Sequence, residues 1–329
     1  SAGFTVAKDQ MVIRPYRMSN LDMKNETEEN IDIITPRINE DDRNYLIVEG
    51  ETFILNFNKQ NGFLCKYQVD SYDLIIQGGE LRPNFWRAPT DNDFGADLQN
   101  KYRAWLNPLM ELKSLQHGYV NDMVTIKAEY NMPSVLAKLM LTYVVNNKGT
   151  IKVTQQLISS PSAEVSDMFR FGIQLQMPKE YDRIDYYGRG PIENYADRNN
   201  CTDIGRYRQT VAEQAYPYIR PQETGTKTDI RWWAQVNAGG DGLQFVADTV
   251  FSASALNYSI ESLDEGTHKR QIHFPEIKPV DYTNLCIDKE QMGLGSINSW
   301  GALPLEQYHL PYGDYEFSFI MTPIKNRVF

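Results

Sequence analysis

The chain has 329 residues, and 43 acidic against 33 basic side chains leave a net charge of −10, which argues against a nucleic-acid-binding surface. Hydrophobic residues at 41% and charged residues at 23% are near globular averages, so the chain can bury a sizeable core and is no disordered tail. Twenty Tyr, 14 Phe and 5 Trp are enough rings for β-rich cores and for stacking surfaces that bind sugars.

In chain order, residues 3–16 read as one strand, which alone can neither bury both faces nor satisfy its own ladder and so belongs with a preceding domain. The chain opens Ser1-Ala2-Gly3-Phe4, without the layout of a signal peptide. Residues 19–44 are acidic, polar and poor in apolar side chains, the composition of a linker. From about residue 46, short alternating runs predict strands over 46–57, 124–130, 136–146, 150–158, 171–177, 243–249 and 315–322. Turn signals such as Asn61-Gly62 and Asn147-Lys148-Gly149 separate many of them. The one short helical window is 97–105. The pattern is all-β, with closely spaced antiparallel strands forming packed sheets. No run of about 18 apolar residues occurs, so a soluble chain with no membrane partner is expected. Cys65, Cys201 and Cys286 are odd in number and far apart, which predicts buried thiols rather than a disulfide framework or zinc site. The four histidines show neither metal-ligand spacing nor an adjacent nucleophile.

Four polar-aromatic segments break the strand pattern. In the first, 84–95, Asp91, Asn92 and Asp93 follow a proline-fixed turn, a layout that holds a hydroxyl-rich ligand or a hard cation and equally forms an Asx turn satisfying its own backbone. In the second, 186–198, the glycines lack the framing of a phosphate loop, and Glu193, Asp197, Arg189 and Arg198 suggest a charge network that closes a loop. The third, 216–233, carries Glu223 and Arg231, a pair suited either to orienting a sugar hydroxyl or to pinning two strands. In the fourth, 292–301, small residues around Trp300 predict an indole that stands proud as a sugar platform, with Asn298 or Ser299 at its rim; a core anchor is the other reading.

Taken together, Arg87-Ala88-Pro89-Thr90-Asp91-Asn92-Asp93-Phe94-Gly95, Gly188-Arg189-Gly190-Pro191-Ile192-Glu193-Asn194-Tyr195-Ala196-Asp197-Arg198, Pro221-Gln222-Glu223-Thr224-Gly225 and Ser299-Trp300-Gly301 resemble, in order, the C-terminal portion of glycoside hydrolase family 2 β-galactosidases. The resemblance runs from about residue 46 to Phe329. It implies a large antiparallel supersandwich of the galactose mutarotase type over 46–329, a linker over 19–45, and in 1–18 the last strand of a preceding immunoglobulin-like domain. It further implies a catalytic (β/α)₈ barrel elsewhere in the full protein. A retaining glycosidase needs two carboxyl groups about 5–5.5 Å apart, and in this family both glutamates belong to the barrel, so no catalytic residue is assigned to this chain.

What the resemblance leaves here is the substrate rim, with Trp300 stacking on the sugar and the loop at Asp91–Gly95 as a lid. The implied partners are a β-galactoside or oligosaccharide and the barrel and N-terminal domains. The resemblance implies magnesium and sodium in the full enzyme, mostly through residues outside this portion, and the compartment, cytoplasmic or periplasmic, rests on sequence upstream. Two other readings compete: a stand-alone carbohydrate-binding module, and a mutarotase-type epimerase, which wants a His with a Glu although no histidine falls in the four segments.

Overall fold

A computed structural model describes residues 8–26, 34–295, 297–298 and 300–328. Within these the chain builds two antiparallel sheets. The smaller sheet runs in chain order through β1 (Arg37–Asn39), β2 (Tyr45–Glu49), β3 (Phe53–Asn58), β4 (Leu64–Val69) and β5 (Tyr72–Asp73). The larger one begins with β6 (Arg82–Asn84), β7 (Glu111–Val120), β8 (Met123–Met132), β9 (Ala137–Val145), β10 (Ile151–Ser159) and β11 (Arg170–Pro178). It continues through β12 (Arg183–Gly190), β13 (Asp203–Thr210), β14 (Lys227–Val236), β15 (Gly242–Leu256), β16 (Tyr282–Gln291) and β17 (Tyr315–Ile324). Its main path is β13-β12-β14-β15-β17-β10-β9-β8-β7, and β15 also pairs with β16, which leads through β11 to β6. The antiparallel all-β class read from the sequence is the observed one.

Period-two burial explains the register. In β10 every odd residue from Ile151 to Leu157 is buried while Lys152, Thr154 and Gln156 are half-exposed, and the β17 register places Thr154 opposite Ser318, whose hydroxyls lie 2.8 Å apart. One contiguous apolar cluster joins the two sheets. Phe57 of the smaller sheet meets Tyr143 of the larger with ring centroids 5.0 Å apart, and the buried Tyr67 hydroxyl donates to Gly149 O at 2.7 Å. The run at 46–57 is two strands, because the chain reverses at Gly50, whose N–H donates to Phe53 O. The helical window at 97–105 resolves into α2 (Leu98–Lys101) and a 3₁₀ turn at Arg103–Trp105, preceded by α1 (Asp91–Gly95) inside the first motif segment.

Part of the stretch expected as a linker is ordered. Arg37–Asn39 pairs with Ile47–Glu49, so this charged stretch is an edge strand whose polar side chains face solvent. Leu21 is buried, and Asn25 and Glu26 bond to Asn147. Residues 8–16 of the expected first strand form no ladder; instead the Gln10 side-chain amide donates to Ile204 O and accepts from Ile204 N on the edge strand β13, both at 2.7 Å. Residues 3–7 lie outside the described residues. Of the three thiols expected to be buried, Cys286 is buried, Cys65 half-buried and Cys201 exposed, and all are free. Among the described residues no helix is long and apolar enough to cross a membrane.

Candidate functional site

The first segment is organised by a buried arginine. Arg87 is fully buried and grips the Asp93 carboxylate with two N–H donors, Nε at 3.1 Å and Nη2 at 2.8 Å. A charged pair inside a protein requires further partners, and Asp93 also accepts from Thr90 N at 2.8 Å while Thr90 Oγ1 accepts from Asp93 N, which caps α1 at its first turn. The Pro-Thr-Asp-Asn-Asp run is thus a capping box. It buries Asp93 beneath the loop and leaves Asp91 exposed and Asn92 half-exposed. Asp91 is balanced by Lys269 at 2.5 Å and Arg220 at 3.4 Å.

Arg87 also ties this loop to the fourth segment, donating to Met292 O at 2.6 Å and Gly293 O at 3.1 Å. The second segment reaches the fourth through Asp197, which accepts from the N–H groups of Leu294 (3.0 Å) and Gly295 (2.9 Å). It reaches the third through Glu193, which accepts from Arg198 Nη2 (2.8 Å), the Tyr218 hydroxyl, Thr224 Oγ1 (3.0 Å) and Gly225 N (2.8 Å). Burial beside this carboxylate pushes the Tyr218 phenol up to about 12, so it stays protonated and also accepts from Arg198 at 3.0 Å. The third segment closes on the first, with Glu223 N donating to Ala88 O at 3.0 Å and Asp91 N to Gln222 Oε1 at 3.3 Å.

The four segments therefore meet. Between them lies an open cleft of about 360 Å³, lined by Asp91, Asn92, Arg198, Tyr218, Gln222 and Asn298 along with Thr90, Leu294 and Gly295. The lining sets hydroxyl, amide, carboxylate and guanidinium groups beside apolar surface, the donors, acceptors and packing faces a polyhydroxy ligand uses. Trp300 follows at the rim, 86% exposed, and Asn298 Oδ1 accepts from Trp300 N at 2.9 Å. Ser299 lies outside the described residues.

The predicted site residues separate accordingly. Asp91, Asn92, Arg198 and Asn298 line the cleft; Asp93, Glu193 and Asp197 hold its walls together. Glu223 does not pair with Arg231. It is buried against Arg170 Nη2 at 3.2 Å and accepts from Thr226 Oγ1 at 3.0 Å, whereas Arg231 donates to Asp229 O and lies over the Tyr187 ring at 5.9 Å. The reason is strand alternation, since a positive φ at Asp229 and two register shifts in β14 direct Arg231 away from the loop. Arg189 likewise leaves the network expected of it and pairs with Asp229.

Tyr218 and Gln222 sit inside the third segment, where nothing in the local sequence marks them as ligand contacts. Lys269 lies outside all four segments and carries no sequence signal. Arg170 does carry one: a cation between Phe169 and Phe171 opening an apolar strand demands a buried partner. Among the described residues, the acids Asp91, Asp93, Glu193, Asp197 and Glu223 at or behind the cleft are each bound to a cation or to N–H and O–H donors. Among the described residues no group of three or more His, Cys, Asp and Glu is placed to hold a metal ion.

Comparison with known proteins agrees with the sequence motifs. Residues 49–321 match the family described as β-galactosidase small chain. The chain is 32% identical over 98% of its length to a β-galactosidase of Priestia megaterium and 30% identical over 96% to one of Staphylococcus xylosus, and it spans 30% of each of those proteins. Among solved structures it is similar to a galactose mutarotase related enzyme from Lactobacillus acidophilus, with 9% identity, 86% of this chain and 98% of that chain covered, and a TM-score of 0.47.

Proposed function

The chain belongs to the β-galactosidase small chain family, and we propose that it forms one wall of a galactoside-binding cleft in a larger β-galactosidase whose bond-breaking carboxylates lie in other domains. The observation that carries this reading is the meeting of all four motif segments at one cleft with an exposed indole on its rim. The apolar C–H face of a pyranose packs on such a ring, while Asn92, Gln222, Asn298, Arg198 and Asp91 exchange hydrogen bonds with its hydroxyls. A galactoside held this way loses rotational freedom before the reaction, which is what a binding wall contributes to catalysis elsewhere.

The tethering of Asp91, Asp93, Glu193 and Glu223 supports a binding rather than a bond-breaking role. Their charges are spent on Lys269, Arg87, Arg198 and Arg170 respectively. The α1 loop, which in this reading borders the substrate, stands on the buried Arg87–Asp93 pair and so moves as a unit rather than by melting. We read residues 1–18 as the end of a preceding domain.

The test is hydrolysis of nitrophenyl β-D-galactoside. The purified 329-residue chain, free of host enzyme, is inactive on this reading, and a protein containing the remaining domains hydrolyses it with a KM that rises when the cleft residues are changed. Turnover by the isolated chain overturns the proposal.

A further inference from the structure

Three acids of the motif segments have both carboxylate oxygens taken inside the wall: Asp93 by Arg87 and Thr90 N, Glu193 by Arg198, Tyr218, Thr224 and Gly225, and Asp197 by Leu294 and Gly295. Asp91 differs. It lines the cleft, and its side chain is 48% exposed. Lys269 Nζ donates to its Oδ1 at 2.5 Å and Arg220 Nε lies 3.4 Å from the same atom, whereas Oδ2 has no partner among the described residues. We propose that Lys269 and Arg220 are positioning residues for the sugar: by fixing Oδ1 they hold Asp91 so that Oδ2 accepts a hydrogen bond from one substrate hydroxyl. This role rests on the galactoside reading of the cleft.

Both cations are themselves fixed from behind. Arg220 Nη2 donates to the Glu265 carboxylate, which is buried and also accepts from Arg270 N at 2.9 Å, and Arg220 Nη1 donates to Gln271 Oε1 at 3.1 Å. Lys269 lies over the Phe94 ring of α1, its Nζ 5.6 Å from the ring centroid. Glu265, Lys269 and Gln271 all belong to the loop 264–271 between β15 and β16. That loop is pinned to the first segment and to α2, since Trp86 Nε1 donates to Asp264 Oδ2 at 2.9 Å and Gln99 Nε2 to Thr267 O at 3.3 Å. Gly266, at φ +83°, turns the loop, and its N–H donates to Asp264 Oδ1 at 2.7 Å.

An untethered aspartate at a rim rotates freely and must be ordered when a ligand arrives. Two cationic donors on one oxygen remove much of that cost in advance, and charge-assisted bonds are the stronger kind. The remaining oxygen accepts but does not donate, so it recognises a hydroxyl and not an ether or a deoxy position. Asp91 Oδ2 therefore discriminates as well as binds.

The experiment uses the larger enzyme containing this chain, with kcat and KM for nitrophenyl β-D-galactoside and the urea midpoint measured for each variant. Arg220→Ala strands the buried Glu265, so Lys269 carries the test. Lys269→Ala should raise KM by about three- to tenfold with kcat within about twofold and the midpoint unchanged, and Lys269→Arg should restore most of the affinity. In an Asp91→Asn background, which itself raises KM, adding Lys269→Ala should change KM by less than about twofold, because the lysine acts only through that carboxylate. An unchanged KM in Lys269→Ala, an undiminished effect in the Asp91→Asn background, or a KM rise that comes with a fallen midpoint would overturn the assignment. If Trp300→Ala raises KM while Lys269→Ala does not, this role alone is lost. If both leave KM unchanged, the galactoside reading of the cleft falls with it.

Discussion

Gly95 and Gly301 meet backbone against backbone. A Cβ built on Gly95 would stand 2.8 Å from Gly301 Cα, and one on Gly301 would stand 2.3 Å from Gly95 C. Gly301 also holds φ at +88°, in the left-handed region. The two glycines that end the first and fourth motif segments are thus a single contact, and it sets the distance between α1 and Trp300.

Gly301→Ala meets both obstacles at once, a strained φ and a backbone overlap. We expect it to lower the unfolding free energy by about 1–3 kcal/mol and to weaken galactoside binding in the full enzyme. Urea denaturation checks the first effect; an unchanged midpoint would mean the close approach is dispensable.

Trp300→Ala separates binding from folding. Because the indole is exposed, its loss should shift stability by less than about 0.5 kcal/mol while weakening sugar binding in the complete enzyme by about 1–2 kcal/mol. Paired measurements of denaturation midpoint and inhibitor affinity decide it. A large loss of stability would assign Trp300 to the core.

Glu223 and Arg231 should now behave differently. Glu223→Gln leaves Arg170 facing Asp288 alone in a buried site, with an expected cost of about 3–5 kcal/mol. Arg231→Ala removes a half-exposed cation and a backbone contact, with an expected cost within about 1 kcal/mol. Equal costs in chemical denaturation would restore a link between the two.

Asp288 gives a pH signature. Burial raises its carboxyl from the usual 3.8 to about 7, outweighing the opposing pull of Arg170, and the nearby Glu223 adds to the rise. Cys286 and Tyr195 also face this cluster, and Gly172 leaves the space its carboxylate occupies. With the folded value above the unfolded one, the native state holds the extra proton between them. This contribution is therefore fully present below about pH 4 and is lost as pH rises through about 7. Asp288→Asn should remove that loss, so the stability of the variant relative to the parent rises from pH 5 to pH 8. A difference that stays flat across this range would sink the assignment.

The two kinds of pattern were not equally legible in the chain. Alternation in 150–158 and 315–322 marked β10 and β17 within two residues, since a half-buried strand writes its face into every second position. Strands β12 and β14 were hidden by the polar motifs they carry, and Arg37–Asn39 by its charge. At the site, the motif segments and the exposure of Trp300 could be read from local chemistry, because small neighbours cannot wall in an indole.

Sequence alone therefore determined the all-β class and the four segments, because strand periodicity and motif composition are local properties, and the family followed from the likeness of those segments to known proteins. Only the tertiary structure decided which acids face solvent and which cation each one meets. Glu223 finds Arg170, 53 positions earlier, and Arg87 finds carbonyls 205 and 206 positions later. Such partners are chosen by how β11, β14 and β16 cross in space, and a buried charge takes the counter-charge that packing places beside it rather than the one nearest along the chain.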